Sequence, residues 1–414
     1  MKLAEADCFW DGEPCLLQLR INMLVLLWCL CLSAVVFYCY GIYAAIAFLR
    51  QPQIHNLEFH PPVTILKPLC GLDSDAYENL VSFCQQDYPH FQIIFAVRDR
   101  QDPIIKIVET IIQEFPNLDI NLVVSDRLIG ANLKVSNLAN AFTQAKHEIL
   151  VIADSDIRVK SDYLSTVIQP LQDETVGVVT CLYRSLVQGW VTTLEAIWTA
   201  TDFHPGVLVS NQIEGIKFAF GSTIVIRKLV LEKIGGFEAI ADYLADDFQL
   251  GNFPVKAGYK VILSNYVVEH VLGDSTIVNS LQRQIRWARG IRVSRPWGYL
   301  GLIFTYGTVT SLLFLIVTQG STLAWINLAI VWTMRLAMGW VVGAILLQDI
   351  VTKKYFWLMP LWDLLHFMMW CCGFVGGTIE WHGHKLKLTK EGKLVALKPD
   401  APTVFFTPVE EIQN

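Results

Sequence analysis

Charge is scarce in this chain. Of 414 residues only 17% are Asp, Glu, Lys or Arg, while 53% are hydrophobic, too apolar a balance for an ordinary soluble protein. From Ile21 to Leu49 there is no charged residue, and roughly 20 apolar residues suffice to cross a bilayer. A cleaved leader is disfavoured: the run is too long for a signal-peptide core, and no small-x-small site precedes a mature domain. No CxxC pair occurs among the ten cysteines, which argues against a zinc or redox motif. Five of them, Cys29, Cys31, Cys39, Cys371 and Cys372, sit in apolar segments. No GxGxxG follows the first predicted strand, which disfavours a nicotinamide-dinucleotide reader. The net charge of −6 is spread without a basic stripe, so nucleic acid is not a partner. There is no internal repeat and no low-complexity segment.

The apolar excess is concentrated. Besides 21–49, the segments Leu300–Thr318, Leu323–Gln348 and Tyr355–Ile379 read as two or three further spans. Residues 51–275 form a mixed globular stretch, 276–297 a basic interfacial helix, 299–379 a membrane bundle and 380–414 a polar tail; residues 1–20 lie ahead of the anchor. Basic residues mark the side of a span that stays in the cytosol. Arg50 follows the first span, and Arg283, Arg286, Arg289, Arg292 and Arg295 crowd the next. Both ends of the globular stretch therefore read as cytosolic, where thiols such as Cys70, Cys84 and Cys181 stay reduced. Three C-terminal spans would put the tail outside, against its lysines Lys385, Lys387, Lys390, Lys393 and Lys398. Asp363 and His366 make the last apolar segment the suspect for a re-entrant one.

Strand and helix patterns alternate from residue 62. Strands are expected at 63–69, 92–97, 120–124 and 149–153, with helices at 76–86, 104–114 and 135–146. This alternation predicts an α/β fold with a largely parallel, Rossmann-like sheet. Further strands are expected at 176–182, 218–226 and 259–263, and helices at 194–200 and 245–255.

Acidic residues fall where such a sheet binds ligands, at the carboxyl ends of strands. Asp99 closes the second strand, and Asp154 and Asp156 close the fourth as Asp-x-Asp. Asp246 and Asp247 open a helix. Asp-x-Asp suits a hard divalent cation that also takes substrate phosphates, although Asp and Ser are common in plain polar turns. A carboxylate on a separate helix can act as general base, although acids at a helix start also gain from the dipole. Arg283, Arg286 and Arg289 recur every third residue and share one broad helix face, drifting by about 60° per step. Their forked donors suit phosphate oxygens, anionic headgroups would attract the same helix, and Trp287 suits a membrane interface. These are the parts a sugar transfer from a nucleotide donor requires.

The residues resemble a family, the membrane-bound GT-A glycosyltransferases with motifs D, DxD, D and (Q/R)xxRW. Within it the chain looks most like ceramide glucosyltransferase and bacterial relatives acting on hopanoid lipids. The resemblance is carried by Leu66-Lys-Pro-Leu69, Val97-Arg-Asp99, Gly130-Ala-Asn-Leu-Lys134, Asp154-Ser-Asp156, His204-Pro205, Ala245-Asp-Asp247 and Arg283-Gln-Ile-Arg-Trp287. It implies a GT-A domain flanked by transmembrane helices and a UDP-sugar donor, glucose first. Asp99 would meet the uridine, and Asp154 and Asp156 the sugar diphosphate with Mg2+ or Mn2+. Lys134 and Lys67 would lie on the donor side. Asp247 would be the catalytic base with Asp246 beside it, and Arg283, Arg286 and Trp287 would hold the diphosphate and close the site. His204 would lie on the acceptor side. A single base candidate implies one in-line displacement, hence inversion at the anomeric carbon. Tyr183-Arg184, 153–158 and the 240–244 segment look closer to the hopanoid branch, so N-acetylglucosamine transfer to a hopanoid polyol stays open. So does a processive polysaccharide synthase, and so does oligomeric state.

Overall fold

The computed structural model describes residues 12–52, 56, 58–381 and 384–397; residues 1–11 of the expected N-terminal segment and 398–414 of the tail, Lys398 included, lie outside them. Four parallel strands build half of the main sheet: β1 (Val63–Leu69), β2 (Phe91–Val97), β3 (Asp119–Val124) and β4 (Ile149–Ile152). The other half holds β5 (Ile157–Arg158), β6 (Val176–Val187), β7 (Ile224–Arg227) and β8 (Lys260–Leu272). The order is β3-β2-β1-β4-β7-β6-β8-β5. β1 and β4 are buried along their whole length, as expected of strands covered on both faces. Two apolar cores lie against the sheet, one around Leu66, Ile94 and Leu150, the other around Ile65, Phe95 and Val151.

The sheet is more mixed than the sequence pattern predicts. β7 runs antiparallel to β4 and β6, and β5 antiparallel to β8. The strand expected at 218–226 is only β7, because Phe220 bridges back to Thr223 and turns the chain just ahead of it. The helix expected at 194–200 is part of a longer run: Trp190–Trp198, a π-helical turn at Thr199–Phe203, then His204–Glu214.

Among the described residues two helices are long and apolar enough to cross a membrane, Gln18–Leu49 and Thr322–Leu346, and a pair bent by 50°, Pro296–Thr305 with Gly307–Val317, would make a third if counted as one. The last apolar segment does not continue them. Its helix, Met359–Gly373, has 15 residues, about 22 Å of rise against a hydrocarbon core of about 30 Å. It also carries Asp363, which Arg335 grips from the Thr322–Gly339 helix at 2.7 Å while Thr308 donates to it at 2.6 Å.

The sequence leaves the side of the tail open. β9 (Thr378–Trp381), β10 (His384–Leu388) and β11 (Leu394–Ala396) form an antiparallel sheet that returns to the globular domain. Ile379, Leu386, Leu388 and Leu394 pack with Ala131, Leu244 and Val293. The Leu244 amide donates to the Gly392 carbonyl at 3.0 Å, and the Leu394 amide to that of Asp242 at 2.6 Å. The described part of the tail therefore packs on the domain itself. Arg289 and Arg292 secure its root by donating to the carbonyls of Val375 and Phe374.

The Arg335–Asp363 pair is buried, and breaking such a pair from one side typically costs about 3–5 kcal/mol. Arg335→Leu alone should lower the thermal unfolding temperature in detergent sharply, and the double variant Arg335→Met/Asp363→Leu should recover most of the loss.

Candidate active site

The carboxyl edge of the sheet collects the acids. β4 ends at Ile152, and the chain turns through Ala153 to Asp154 and Asp156. Beneath the turn lies Lys67 of β1, fully buried. Its ammonium donates to the Asp154 backbone carbonyl at 2.5 Å and sits 3.9 Å over the Phe83 ring. Burial drives its pKa down to about 7, against the pull of Asp156 and Asp154. The expectation that Lys67 faces the donor is therefore corrected: it fixes the backbone of the Asp-x-Asp turn from below.

Lys134 is the cation that meets the carboxylates directly. It lies 2.6 Å from Asp154 Oδ1 and 3.3 Å from Asp246 Oδ2. Burial opposes its charge, but Asp154, Asp246 and Asp247 outweigh that and raise its pKa. Its helix starts at Asn132, whose side chain caps the Val135 amide and also donates to Asp246 Oδ1. Asp247 opens the Asp246–Lys256 helix. Its Oδ2 accepts from the Gly221 amide at 3.1 Å and its Oδ1 from the Phe248 amide at 2.7 Å. Burial, then the neighbouring Asp246 charge, push its pKa up to about 6. A carboxylate tuned this way can accept a proton near neutral pH.

Three residues that sequence reasoning missed complete the cluster. Gly221 lies between the halves: its carbonyl accepts from the Asp154 amide, and a Cβ there would fall 2.5 Å from Asp154 Oδ2. His270, near the end of β8, meets Asp156 Oδ2 at 3.0 Å. Burial works against the imidazolium, but Asp156 raises the His270 pKa overall, and His270 in turn holds that of Asp156 down despite its burial. The signal was a histidine closing an apolar strand, Val267-Val-Glu-His270. Glu195, buried in the helix ahead of the π turn, receives Arg283 in a fork of 2.8 and 3.1 Å. Arg283, expected on a diphosphate, thus turns Nε and Nη2 to Glu195.

The remaining residues separate. Asp99 closes β2 two strands from Asp154, about 10 Å along the edge at ~4.8 Å per strand, in an open cleft of about 710 Å³ with Gln101, Ser125 and Asp126. Arg286 is half-buried on the Ile277–Ser294 helix, and burial and Arg283 lower its pKa to about 10. Trp287 stacks on Trp198, centroids 6.0 Å apart. His204 is fully buried. Its Nε2 pairs with the Tyr183 carbonyl at 2.8 Å, so it carries the proton there, while burial pushes its pKa down to about 3. A neutral, enclosed imidazole packs the wall rather than facing an acceptor, which corrects that expectation.

Asp154 and Asp246 thus share one ammonium, with Asp247 beside them and Asp156 on His270, and carboxylates outnumber the cations that meet them. Burial raises the pKa of Asp154 in spite of Lys134, and buried Asp246 Oδ2 has no hydrogen bond, only the 3.3 Å ion pair. Hard oxygen donors with unmet charge fit a divalent cation. Among the described residues no three His, Cys, Asp or Glu side chains converge as a cage, and Mg2+ commonly takes one or two carboxylates with phosphate and water. Asp154 and Asp156 fit that role.

The acid loops are fastened to each other. Asn132 N donates to Ala241 O at 2.8 Å, and Ala131 N to Asp242 Oδ1 at 2.9 Å. A Cβ on Gly130 would lie 2.5 Å from Ala241 O. Gly130→Ala should therefore displace the segment leading to Asp246 and Asp247. The expected result is a loss of turnover of at least tenfold with cooperative unfolding retained, checked by initial rates beside a thermal melt.

Ceramide glucosyltransferase 1 of Caenorhabditis elegans is 27% identical over 231 residues, 55% of this chain and 49% of that protein. Ceramide glucosyltransferase of Komagataella phaffii is 37% identical over 113 residues, 26% of this chain and 22% of that protein. The chain thus spans about half the length, or less, of these relatives. Among solved structures, mannosyltransferase PcManGT from Pyrobaculum calidifontis in complex with GDP-Man and Mn2+ superposes with a TM-score of 0.56 at 18% identity, covering 86% of this chain and 97% of that one, a likeness of fold. Glycosyl transferase family 21 matches residues 26–394, nearly the whole chain, and the protein belongs to that family.

Proposed function

We propose that this protein is an inverting hexosyltransferase that moves glucose from UDP-glucose to the hydroxyl of a membrane lipid, of the ceramide type. The observation that carries the reading is the Asp154–Lys134–Asp246/Asp247 cluster at the carboxyl edge of the sheet. It holds a charge-neutralising half and a proton-accepting half within one ion-paired group. The lipid and the sugar come from the names of the relatives, both ceramide glucosyltransferases.

The uridine meets Asp99 and the cleft beside it, and the diphosphate runs along the strand ends toward Asp154. Asp154 and Asp156 would hold a divalent cation, which when bound would supply charge neutralisation at the diphosphate; the Mn2+ bound with GDP-Man in the Pyrobaculum enzyme supports that choice. Lys134 orients Asp154 and lends a positive charge, as does Arg286 from the interfacial helix. Asp247 takes the proton from the acceptor hydroxyl. Its two backbone hydrogen bonds aim the carboxylate, and Asp246 raises its affinity for that proton.

The first long helix anchors the domain. The bent pair 296–317 leaves the domain side and Thr322–Leu346 returns to it. The short Met359–Gly373 helix then lies along the domain side of the bilayer, and the tail reaches the domain without a further crossing. The arginines at 283–295 put that side in the cytosol.

Asp247→Asn should leave UDP-glucose binding by calorimetry within about threefold and remove transfer; a few per cent of residual activity would reject the base assignment. With the carboxylate as base, log kcat should rise with unit slope below about pH 6 and level above it. Membranes given a panel of UDP-sugars and lipid acceptors should yield a β-glucosyl lipid by mass spectrometry and NMR, whereas an α-linked product or a polymer would refute the reading.

A further inference from the structure

A second polar cluster lies on the membrane side of the active site, and neither the sugar donor nor the base uses it. At its centre is Asp202, in the π-helical turn Thr199–Phe203. Trp198 Nε1 donates to Asp202 Oδ2 at 3.0 Å, and His366 Nδ1 lies 3.2 Å from the same oxygen. Oδ1 has no donor among the described residues, and the side chain is 22% exposed. Around it stand aromatic walls: Trp198 with Trp287 at 6.0 Å and Tyr306 with His366 at 5.7 Å. Trp362 packs in the same group as Trp198, buried, with its own Nε1 lacking a partner.

The first helix gives the depth of this cluster. From Arg20 to Tyr40 it rises about 30 Å, the thickness of a hydrocarbon core. Beyond that, Ala44, Ala45 and Phe48 are packed in the core of the catalytic domain. The boundary on the domain side therefore falls near Tyr38 and Tyr40, residues of the kind that sit at membrane interfaces. Tyr38 donates to the Thr305 carbonyl and accepts from the Gly307 amide, next to Tyr306, so the Asp202 cluster lies at headgroup level. Ionisable groups set among membrane-embedded segments are rare and commonly mark a substrate route. Charge balance does not demand Asp202, because Arg335 is already gripped by Asp363.

The cluster connects with the catalytic acids. Phe203 stands 5.8 Å from Trp198 and 5.6 Å from Phe220, and Gly221, next in sequence, donates to Asp247. A headgroup held at Asp202 has an aromatic path to the base.

We infer that Asp202, braced by Trp198 and His366, is the acceptor-headgroup site, and that it binds a neutral lipid carrying a hydrogen-bond donor besides the hydroxyl that reacts. Asp202 Oδ1 accepts from that second donor, a further hydroxyl or an amide N–H, and orients the reacting hydroxyl toward Asp247. This rests on the lipid-transfer reading above.

The test uses the full chain in nanodiscs with UDP-glucose and either a short-chain ceramide, which has two such extra donors, or dioctanoylglycerol, which has none. Asp202→Asn should raise the KM for ceramide about tenfold or more, the usual weight of a hydrogen bond to a charged group. UDP-glucose affinity by calorimetry should stay unchanged, and His366→Gln should shift the same KM in the same direction. Dioctanoylglycerol should be the poorer acceptor, with a KM indifferent to Asp202→Asn. An unchanged ceramide KM, an equal loss with both lipids, or a parallel loss of UDP-glucose binding would overturn the headgroup site while leaving lipid transfer intact. A wild-type protein that binds UDP-glucose and glucosylates neither lipid would overturn the lipid-transfer reading, and this inference with it.

Discussion

The ion pair of Lys134 with Asp154 and Asp246 is the constraint around which the site is organised. Two carboxylates ~4 Å apart in partly buried surroundings repel by about 4 kcal/mol, and this edge brings together four. The ammonium joins the acid of the Asp-x-Asp turn to the acid that starts a distant helix, so the two halves are neutralised and registered by one side chain. The Gly221 backbone adds the second link, accepting from the Asp154 amide and donating to Asp247. What these contacts do not cancel is the surplus negative charge, which suits a cation and its phosphates.

The same logic extends outward. The segment leading to Asp246 is laced to the 130–132 loop on one side and to the C-terminal sheet on the other. That sheet is tied at its root to Arg289 and Arg292 of the interfacial helix. Asp246, Lys134, the tail and the arginines of the Ile277–Ser294 helix form a closed ring of contacts. A last apolar helix too short to span is what lets the tail come back to complete it.

The parallel half of the sheet was legible in the sequence because β1, β2 and β4 are apolar runs alternating with helices, a pattern set by local burial. Asp154, Asp156, Asp246, Asp247 and Lys134 were legible because acids at strand and helix ends recur in fixed motifs. The antiparallel half was not. β7 shrank to Ile224–Arg227 because the preceding residues turn back on themselves, which no periodicity encodes. The arginine repeat reads as one phosphate-binding face, yet Arg283 pairs with Glu195 and Arg289 with carbonyls at the root of the tail. Lys67, within a strand, and His204, at the start of a helix, carry polar labels but sit fully buried, since what packs over each position is decided by segments distant in the chain.

The sequence by itself determined the class of chemistry and the two environments, an acidic sheet edge and an apolar anchor, because residue type and spacing fix local charge and local burial. Only the tertiary structure decided which cation meets which acid, that the tail returns to the domain, and that Trp198 and His366, far apart in the chain, meet on one oxygen of Asp202. Those are long-range pairings, settled by packing among segments that the sequence writes separately.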